Sequence, residues 1–212
     1  MMYATRPLSP ALLLGAALLL LPSTVRAQAE GATATFYRES YALEAKHEYA
    51  GALAKMRDAT RNAGKSYFST MRMAWLAYLS GDFAASQADY TAAITAEPKA
   101  IEPRLGLTLP LLAARNWKEL ERACRDVLTV DPHNVVALSR LALAYYWAGN
   151  YAEAANTYRQ LSADYPSELD YRTGLAWALL KLGRSAEARQ VFESVLAVSP
   201  DNVSAKQGLG AK

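Results

Sequence analysis

Apolar and small residues recur along the chain in a fixed register. One column of large apolar residues holds Met73, Leu107, Leu141 and Leu175, and the next, mostly small column holds Ala74, Thr108, Ala142 and Ala176. Two further columns follow, first Ser86, Leu120, Ala154 and Ala188, then the mostly large Tyr90, Cys124, Tyr158 and Phe192. Helices that pack closely need small residues where their backbones approach and large residues beside them. The pattern therefore predicts pairs of helices joined by short turns.

The period of the register is set by proline and glycine. Prolines at 98, 132, 166 and 200 are 34 residues apart, and each follows a stretch with helical periodicity. Gly81, Gly149 and Gly183 share another column, which only Arg115 breaks. One unit of this size cannot bury its own apolar face, so a fixed period of this length predicts stacked repeats in an all-α solenoid. The predicted units are 67–100, 101–134, 135–168 and 169–202.

The register also reaches into both flanks of these units. Residues 33–66 match the second-helix columns through Tyr49, Ala52, Met56 and Ala59. Glu39 and Ser40 occupy columns that are elsewhere apolar and small, which predicts a degenerate capping repeat with one face in water. Residues 203–212 form only a partial helix, and we expect it to leave little cover for Leu175, Leu179, Val195 and Leu196.

The third and fourth units carry a recognisable motif. The third reads Leu138-x2-Leu141-Ala142-x2-Tyr145, then Ala154-x3-Tyr158, then Pro166, and the fourth has Leu175-Ala176, Ala188-x3-Phe192 and Pro200. This resembles the tetratricopeptide repeat family, whose pattern is W-x2-L-G-x2-Y, then A-x3-F, then P. The family's first tryptophan is replaced by Thr70, Arg104, Leu138 and Arg172. The resemblance implies a right-handed α-solenoid of about five repeats that binds other proteins and is not an enzyme.

The resemblance also implies a binding groove. In the family, the first helix of each repeat lines a concave surface, chiefly through its second, fifth, ninth, twelfth and thirteenth positions. Here those positions include the apolar and aromatic Phe68, Met71, Trp75, Tyr78, Leu105, Leu109, Leu112, Val136, Leu143, Tyr146, Trp147 and Trp177. The alternative is that part of this stripe is core between neighbouring repeats. Three tryptophans at these positions favour a contact surface.

Two features distinguish this groove from that of chaperone-binding members of the family. Those members clamp a C-terminal carboxylate with lysine and asparagine, and of the matching positions here only Arg140 fits, which makes Arg140 a candidate contact for orienting a ligand. Pro110 stands within the first helix of the second repeat, where its missing amide predicts a kink. The alternatives are a short or broken helix and a locally widened groove.

Residues 1–29 have the composition of a secretory signal peptide. Arg6 precedes the apolar run 11–21, Pro22 ends it, and Ala27-Gln28-Ala29 provides small residues for signal peptidase. An apolar run of this length falls short of the roughly 20 residues of a membrane span. We therefore expect cleavage after Ala29, or alternatively after Ala27, and a periplasmic or secreted mature chain, 30–212, without stable membrane insertion.

Charge and reactive residues point away from other functions. The chain has 23 basic and 20 acidic residues, and loss of Arg6 and Arg26 would leave 21 against 20, so there is no electrostatic signature of nucleic-acid binding. Cys124 occupies the large-residue core column and is expected to be buried. His47-Glu48 lacks a second zinc ligand, and Asp131, His133 and Asn134 form ordinary turn chemistry. No catalytic residue, metal site or cofactor is predicted.

These observations predict an exported scaffold or adaptor that captures a peptide or helix of another protein in an apolar, aromatic groove, within a bacterial envelope assembly. The alternative is a structural subunit that self-associates through its last repeat, as a homodimer.

Overall fold

The computed structural model describes residues 23–210, and this part of the chain is helical and contains no strand. Its helices are α1 (Ser23–Glu44), α2 (Tyr49–Ala63), α3 (Tyr67–Leu79), α4 (Phe83–Ala96), α5 (Glu102–Ala113), α6 (Trp117–Val130), α7 (Val135–Ala148), α8 (Tyr151–Asp164), α9 (Leu169–Lys181), α10 (Ser185–Val198) and α11 (Val203–Gly210). The all-α solenoid is confirmed. The predicted apolar run 11–21 lies outside the described residues, and both predicted cleavage sites fall within α1.

Left-handed turns explain the glycine column. Gly81, Gly149 and Gly183 follow first helices and have φ angles of 82°, 85° and 76°. A residue without a Cβ adopts this conformation without steric cost. Arg115, which breaks the column in sequence, has the same kind of backbone with φ of 54°. The turn geometry is therefore kept even where the residue is unsuited to it.

The segments after the periodic prolines begin the next helix. Asn134 and Asn202 each accept a hydrogen bond through their side-chain oxygen from the backbone amide three residues later, at 3.0 and 2.9 Å. This N-cap satisfies one of the amides left unpaired at a helix start. The side-chain Nδ2 of Asn134 donates to Asp131 Oδ2 at 3.0 Å, and His133 is exposed. The Asp131 loop thus has a turn role.

The chain divides into two compact units, residues up to 106 and residues from 107 onward, with the division inside α5. In the first unit, the core contains Leu53, Met56, Met73 and Leu76. Two small-column residues meet there, because Ser86 is fully buried and its hydroxyl donates to the Ala74 carbonyl at 2.8 Å. The close approach of α3 and α4 that the small residues predict is therefore present.

The predicted water-facing position of Ser40 in the first unit is wrong. Ser40 is fully buried, and its hydroxyl accepts a hydrogen bond from Arg72 Nη2 at 3.0 Å. Arg72 also forms an ion pair with Glu44, with a closest N–O distance of 2.9 Å. A polar side chain is stable in this buried column because the guanidinium of α3 satisfies it. Glu39, by contrast, is half-buried and pairs with Lys55 at 2.7 Å.

Large side chains of one repeat pack against glycines of the next. Tyr90 lies against Gly106 in the first unit, and in the second unit Tyr158 lies against Gly174 and Phe192 against Gly208. A Cβ at any of these glycines would lie within 2.1 to 2.6 Å of a ring carbon. The missing side chain is what admits the ring.

The core of the second unit extends into α11, although Val198 and Val203 beside it are exposed. Leu175, Leu179 and Val195 are buried, as are Ala205 and Gly208 of α11. The expectation that the last full repeat has little cover is wrong for these three side chains, whereas Leu196 is half-buried. Gly208 lets α11 approach Phe192 closely. Cys124 is also fully buried, as predicted.

Proline 110 does not break its helix. Helix α5 runs from Glu102 to Ala113 through this residue, whose side chain is fully buried. The broken-helix alternative is therefore wrong. None of the helices in residues 23–210 has both the length and the apolar character needed to cross a bilayer.

Candidate functional site

The side chains predicted to line the groove are all at least partly accessible. Phe68 and Trp147 are the most exposed, at 57% and 58%, followed by Val136 at 40% and Trp75 at 38%. The remaining predicted groove residues are half-buried, namely Met71, Tyr78, Leu105, Leu109, Leu112, Arg140, Leu143, Tyr146 and Trp177. Leu112, Tyr146 and Trp177 also pack against the core of the second unit. In each unit the predicted residues therefore contribute to the surface, and in the second unit some of them also pack against the core.

In the first unit the predicted residues form an aromatic surface on α3. The rings of Trp75 and Tyr78 lie 5.7 Å apart between centroids, and Phe68 lies 6.0 Å from Tyr37 of α1. The Trp75 indole Nε1 donates to Glu44 Oε1 at 2.9 Å, so Glu44 receives both the indole and the Arg72 guanidinium. These bonds set the orientation of the indole. Sequence reasoning did not identify Tyr37 or Glu44 as part of this surface.

In the second unit, four predicted residues come together around one pocket with a volume of about 410 Å³. These are Leu143, Tyr146 and Trp147 of α7 and Trp177 of α9. Six other residues complete the lining: Tyr158, Asp170, Thr173, Gly174, Ser204 and Gln207. The volume is in the range of pockets that hold small ligands or ligand side chains, about 300–1,000 Å³.

The aromatic walls of this pocket are held by their neighbours. The rings of Tyr146 and Trp147 lie edge to face, 5.5 Å between centroids at 90°, and Trp147 stacks on Trp117 at 5.9 Å and 15°. Trp177 Nε1 donates to Ser204 Oγ of α11 at 2.9 Å. Such contacts restrict the side-chain rotamers, so the ring faces are ordered before a ligand binds.

Tyr158 enters the pocket because Gly174 leaves room for its ring. A Cβ on Gly174 would lie 2.6 Å from Tyr158 Cζ. Burial raises the pKa of the Tyr158 phenol to about 12, with a smaller contribution from nearby groups that include Asp170. The phenol is therefore neutral at physiological pH. Asp170 is the one charged residue among the described residues that line the pocket.

Arg140 lies elsewhere in the second unit. Its Nη1 donates to Thr108 Oγ1, in the same way as Arg72 donates to Ser40 in the first unit. Arg140 is not one of the residues that line the 410 Å³ pocket. Burial raises the pKa of the nearby Cys124 thiol to about 12, although the positive charge of Arg140 acts in the opposite direction. A buried thiol of this kind is a poor nucleophile.

Asp170 and Thr173 could have been found in the sequence. They occupy the second and fifth positions of α9, two of the positions implied by the family resemblance, but neither is apolar. Gly174 shares its column with Gly106 and Gly208, which is a second readable signal. Ser204 and Gln207 carry the same signal one period later, as the second and fifth residues of α11. Across residues 23–210, no three histidine, cysteine, aspartate or glutamate side chains cluster in a way that could hold a metal ion.

Comparison with known proteins agrees with this architecture. A family model described as tetratricopeptide repeat matches residues 139–203. The crystal structure of a tetratricopeptide repeat protein from Parabacteroides merdae is similar, with a TM-score of 0.76 and 16% identity over 84% of this chain and 71% of that chain. MamA from Desulfovibrio magneticus is similar with a TM-score of 0.73 and 14% identity over 81% of this chain and 97% of that chain.

A third solved structure is YrrB, described as a tetratricopeptide repeat protein with an unusual peptide-binding site. Its TM-score is 0.71, with 12% identity over 83% of this chain and 91% of that chain. No curated protein sequence matches the chain. At these identities the structural likeness shows the fold. The family match and the fold together confirm the resemblance that the repeat motif indicates.

Proposed function

Since the chain carries tetratricopeptide repeats, we propose that it is an exported protein-binding scaffold, which captures a peptide or helix of a partner protein on its aromatic surfaces within a bacterial envelope assembly. The partner is another protein, not a nucleic acid. The observation that carries the proposal is the exposure of large aromatic side chains, Phe68, Trp75 and Trp147, at first-helix positions.

Exposed aromatic rings in ordered positions support binding. A protein gains nothing for its own stability from the exposed part of a ring, and contiguous exposed apolar patches usually mark interaction sites. Tryptophan and tyrosine are also the residues that most often dominate binding energy at interfaces. YrrB, which has the same fold, is described by its peptide-binding site. These points support capture of a peptide or helix.

Export rests on residues 1–29. Four side chains of α1 that contact other helices lie C-terminal to both predicted cleavage sites: Thr33 accepts a hydrogen bond from Asn62, Glu39 pairs with Lys55, and Ser40 and Glu44 bind Arg72. Removal of the segment up to Ala29 would leave these contacts in place. A mature chain that starts at Glu30 is therefore compatible with a folded first repeat. The alternative remains self-association through the last repeat, where Ala205 and Gly208 of α11 are buried but Val198 and Val203 are exposed.

Co-purification with matched variants tests the scaffold proposal. The tagged mature chain is compared with Trp75→Ala, Trp147→Ala and the control Tyr165→Ala, an aromatic residue that is 39% exposed in the loop after α8. Partners identified by mass spectrometry are then titrated against each variant. We expect each tryptophan variant to lose about 2 kcal/mol of binding free energy, as for a hot-spot residue, and the control to lose none. Full affinity in both tryptophan variants, with reduced folding stability, would show that the rings serve the core.

A further inference from the structure

We propose that the pocket between α7, α9 and α11 recognises a basic side chain, lysine or arginine, on an extended segment of the partner protein. This inference rests on the proposed function and specifies its ligand chemistry. Four aromatic residues line the pocket, Tyr146, Trp147, Tyr158 and Trp177, and it carries one carboxylate, Asp170.

The aromatic walls favour a cation. The face of an indole or phenol ring is negative, so a cation close to it is attracted, most strongly by tryptophan. Two of the four aromatic residues that line the pocket are tryptophans, and the others are Tyr158 and Tyr146, whose ring is held at 90° to Trp147. The contacts of Trp147 with Trp117 and of Trp177 with Phe192 fix both indoles. The rings can therefore surround a ligand without first reorganising.

The polar groups of the pocket favour a positively charged ligand. The Trp177 indole N–H is already used by Ser204, and the Thr173 hydroxyl donates to the Leu169 carbonyl at 2.7 Å. Asp170 can only accept, and its carboxylate has no hydrogen bond or ion pair to another residue in the described part of the chain. No lysine, arginine or histidine in that part lines the pocket. The Gln207 amide and the Ser204 and tyrosine hydroxyls can donate as well as accept, so what the lining lacks is a positive charge, which an ammonium or guanidinium group supplies.

The size of the pocket favours a side chain on a peptide over a free small ion. A volume of about 410 Å³ holds a basic side chain together with adjoining backbone. Trp147 is 58% exposed, so its ring extends the apolar surface beyond the pocket for the flanking residues of a peptide. A basic segment is also the charge complement of Asp170.

Binding of matched peptides tests this inference. The probes are acetylated and amidated pentapeptides, Gly-Ser-X-Ser-Gly, where X is lysine, norleucine or glutamate, together with tetramethylammonium chloride as a free cation. The readout is the set of indole N–H signals in ¹H–¹⁵N spectra of the full mature chain, in which the Trp75 signal reports separately on the aromatic surface of the first unit. We expect the lysine peptide to shift the indole N–H signals of Trp147 and Trp177 in a saturable way. The norleucine peptide should bind about fivefold or more weakly than the lysine peptide, and the glutamate peptide should not bind.

Two variants separate charge from apolar burial. Asp170→Asn keeps the size of the side chain. It should weaken binding of the lysine peptide about fivefold and leave the affinity for the norleucine peptide unchanged, as expected for loss of one ionic contact. Trp147→Leu keeps an apolar side chain, and it should weaken binding of the lysine peptide more than binding of the norleucine peptide. The control is Asp126→Asn, an exposed carboxylate on α6 outside the pocket, which should change neither affinity.

Three outcomes would overturn the inference. Equal affinity for norleucine and lysine would show an apolar pocket, which contradicts the cation but leaves the scaffold proposal intact. Tetramethylammonium binding as tightly as the lysine peptide would assign the pocket to a free small cation. Absence of any shift with the lysine peptide would reject the site, whereas the scaffold proposal fails only if the Trp75 and Trp147 variants keep full affinity for the partner.

Discussion

Gly106→Ala should destabilise the protein although alanine is the better helix former. The new Cβ would lie 2.2, 2.5 and 2.7 Å from Cε1, Cζ and Cδ1 of Tyr90. Non-bonded carbon atoms in contact are normally about 3.5–4.0 Å apart. To restore that distance, the Tyr90 ring would have to move by more than about 1 Å. Tyr90 is only 3% exposed, which leaves it little space for such a shift.

The size of the effect follows from two opposing terms. Replacing glycine by alanine inside a helix stabilises by about 1 kcal/mol. Overpacking a core typically costs about 1–3 kcal/mol, and three contacts this short place Gly106 in the upper part of that range. Subtracting the gain in helix propensity from the overpacking cost gives an expected net loss of about 1–2 kcal/mol in the free energy of unfolding.

Gly51→Ala provides the matched control. Gly51 also lies inside a helix, α2, but its nearest neighbour would be Leu43 Cδ1 at 3.5 Å, an ordinary contact. The gain in helix propensity from glycine to alanine is the same in both variants. Gly51→Ala should therefore stabilise the protein by up to about 1 kcal/mol. The difference between the two variants isolates the clash.

Chemical denaturation followed by circular dichroism measures these changes, and a double-mutant cycle locates their cause. In a Tyr90→Leu background, Gly106→Ala should no longer destabilise, because the ring that it meets is gone. The reasoning would be refuted if Gly106→Ala were as stable as Gly51→Ala, or if its cost persisted unchanged without the Tyr90 ring.

The remaining predictions concern the chain ends and one turn. Intact mass of the exported protein should correspond to a chain that starts at Glu30 or Gln28, and recovery of the full-length chain in the membrane fraction would contradict cleavage and make the segment an anchor. Deletion of 203–212 should lower stability and promote self-association, because Phe192 and Trp177 lose their contacts with Gly208 and Ser204 of α11. The intact mature chain should be monomeric by light scattering; an equally stable deletion variant or an intact homodimer would support the self-association alternative. Arg115→Gly should raise stability by about 1 kcal/mol, since a left-handed backbone costs a residue with a Cβ about 1–2 kcal/mol; an unchanged denaturation midpoint would show that the turn carries no such strain.

Several features follow from the sequence because they depend on local periodicity. The register of columns such as Met73 and Leu141, with prolines 34 residues apart at 98 and 132, predicts where helices pair. Cys124 is buried because its column is a core column, and that inference needs no knowledge of its neighbours. The accessible first-helix stripe follows in the same way, since side-chain direction along a helix is fixed by its period.

Other features were decided by contacts between repeats. Gly174 is readable as a column member, but only the packed structure shows that its missing Cβ admits Tyr158 and shapes the pocket. Ser40 looks like a water-facing residue until Arg72 of another helix supplies its hydrogen bond. The pocket itself needs Ser204 of α11 beside Trp177 of α9. A periodic pattern specifies which face of a helix is apolar, whereas the distance and rotation between helices determine which side chains share a cavity.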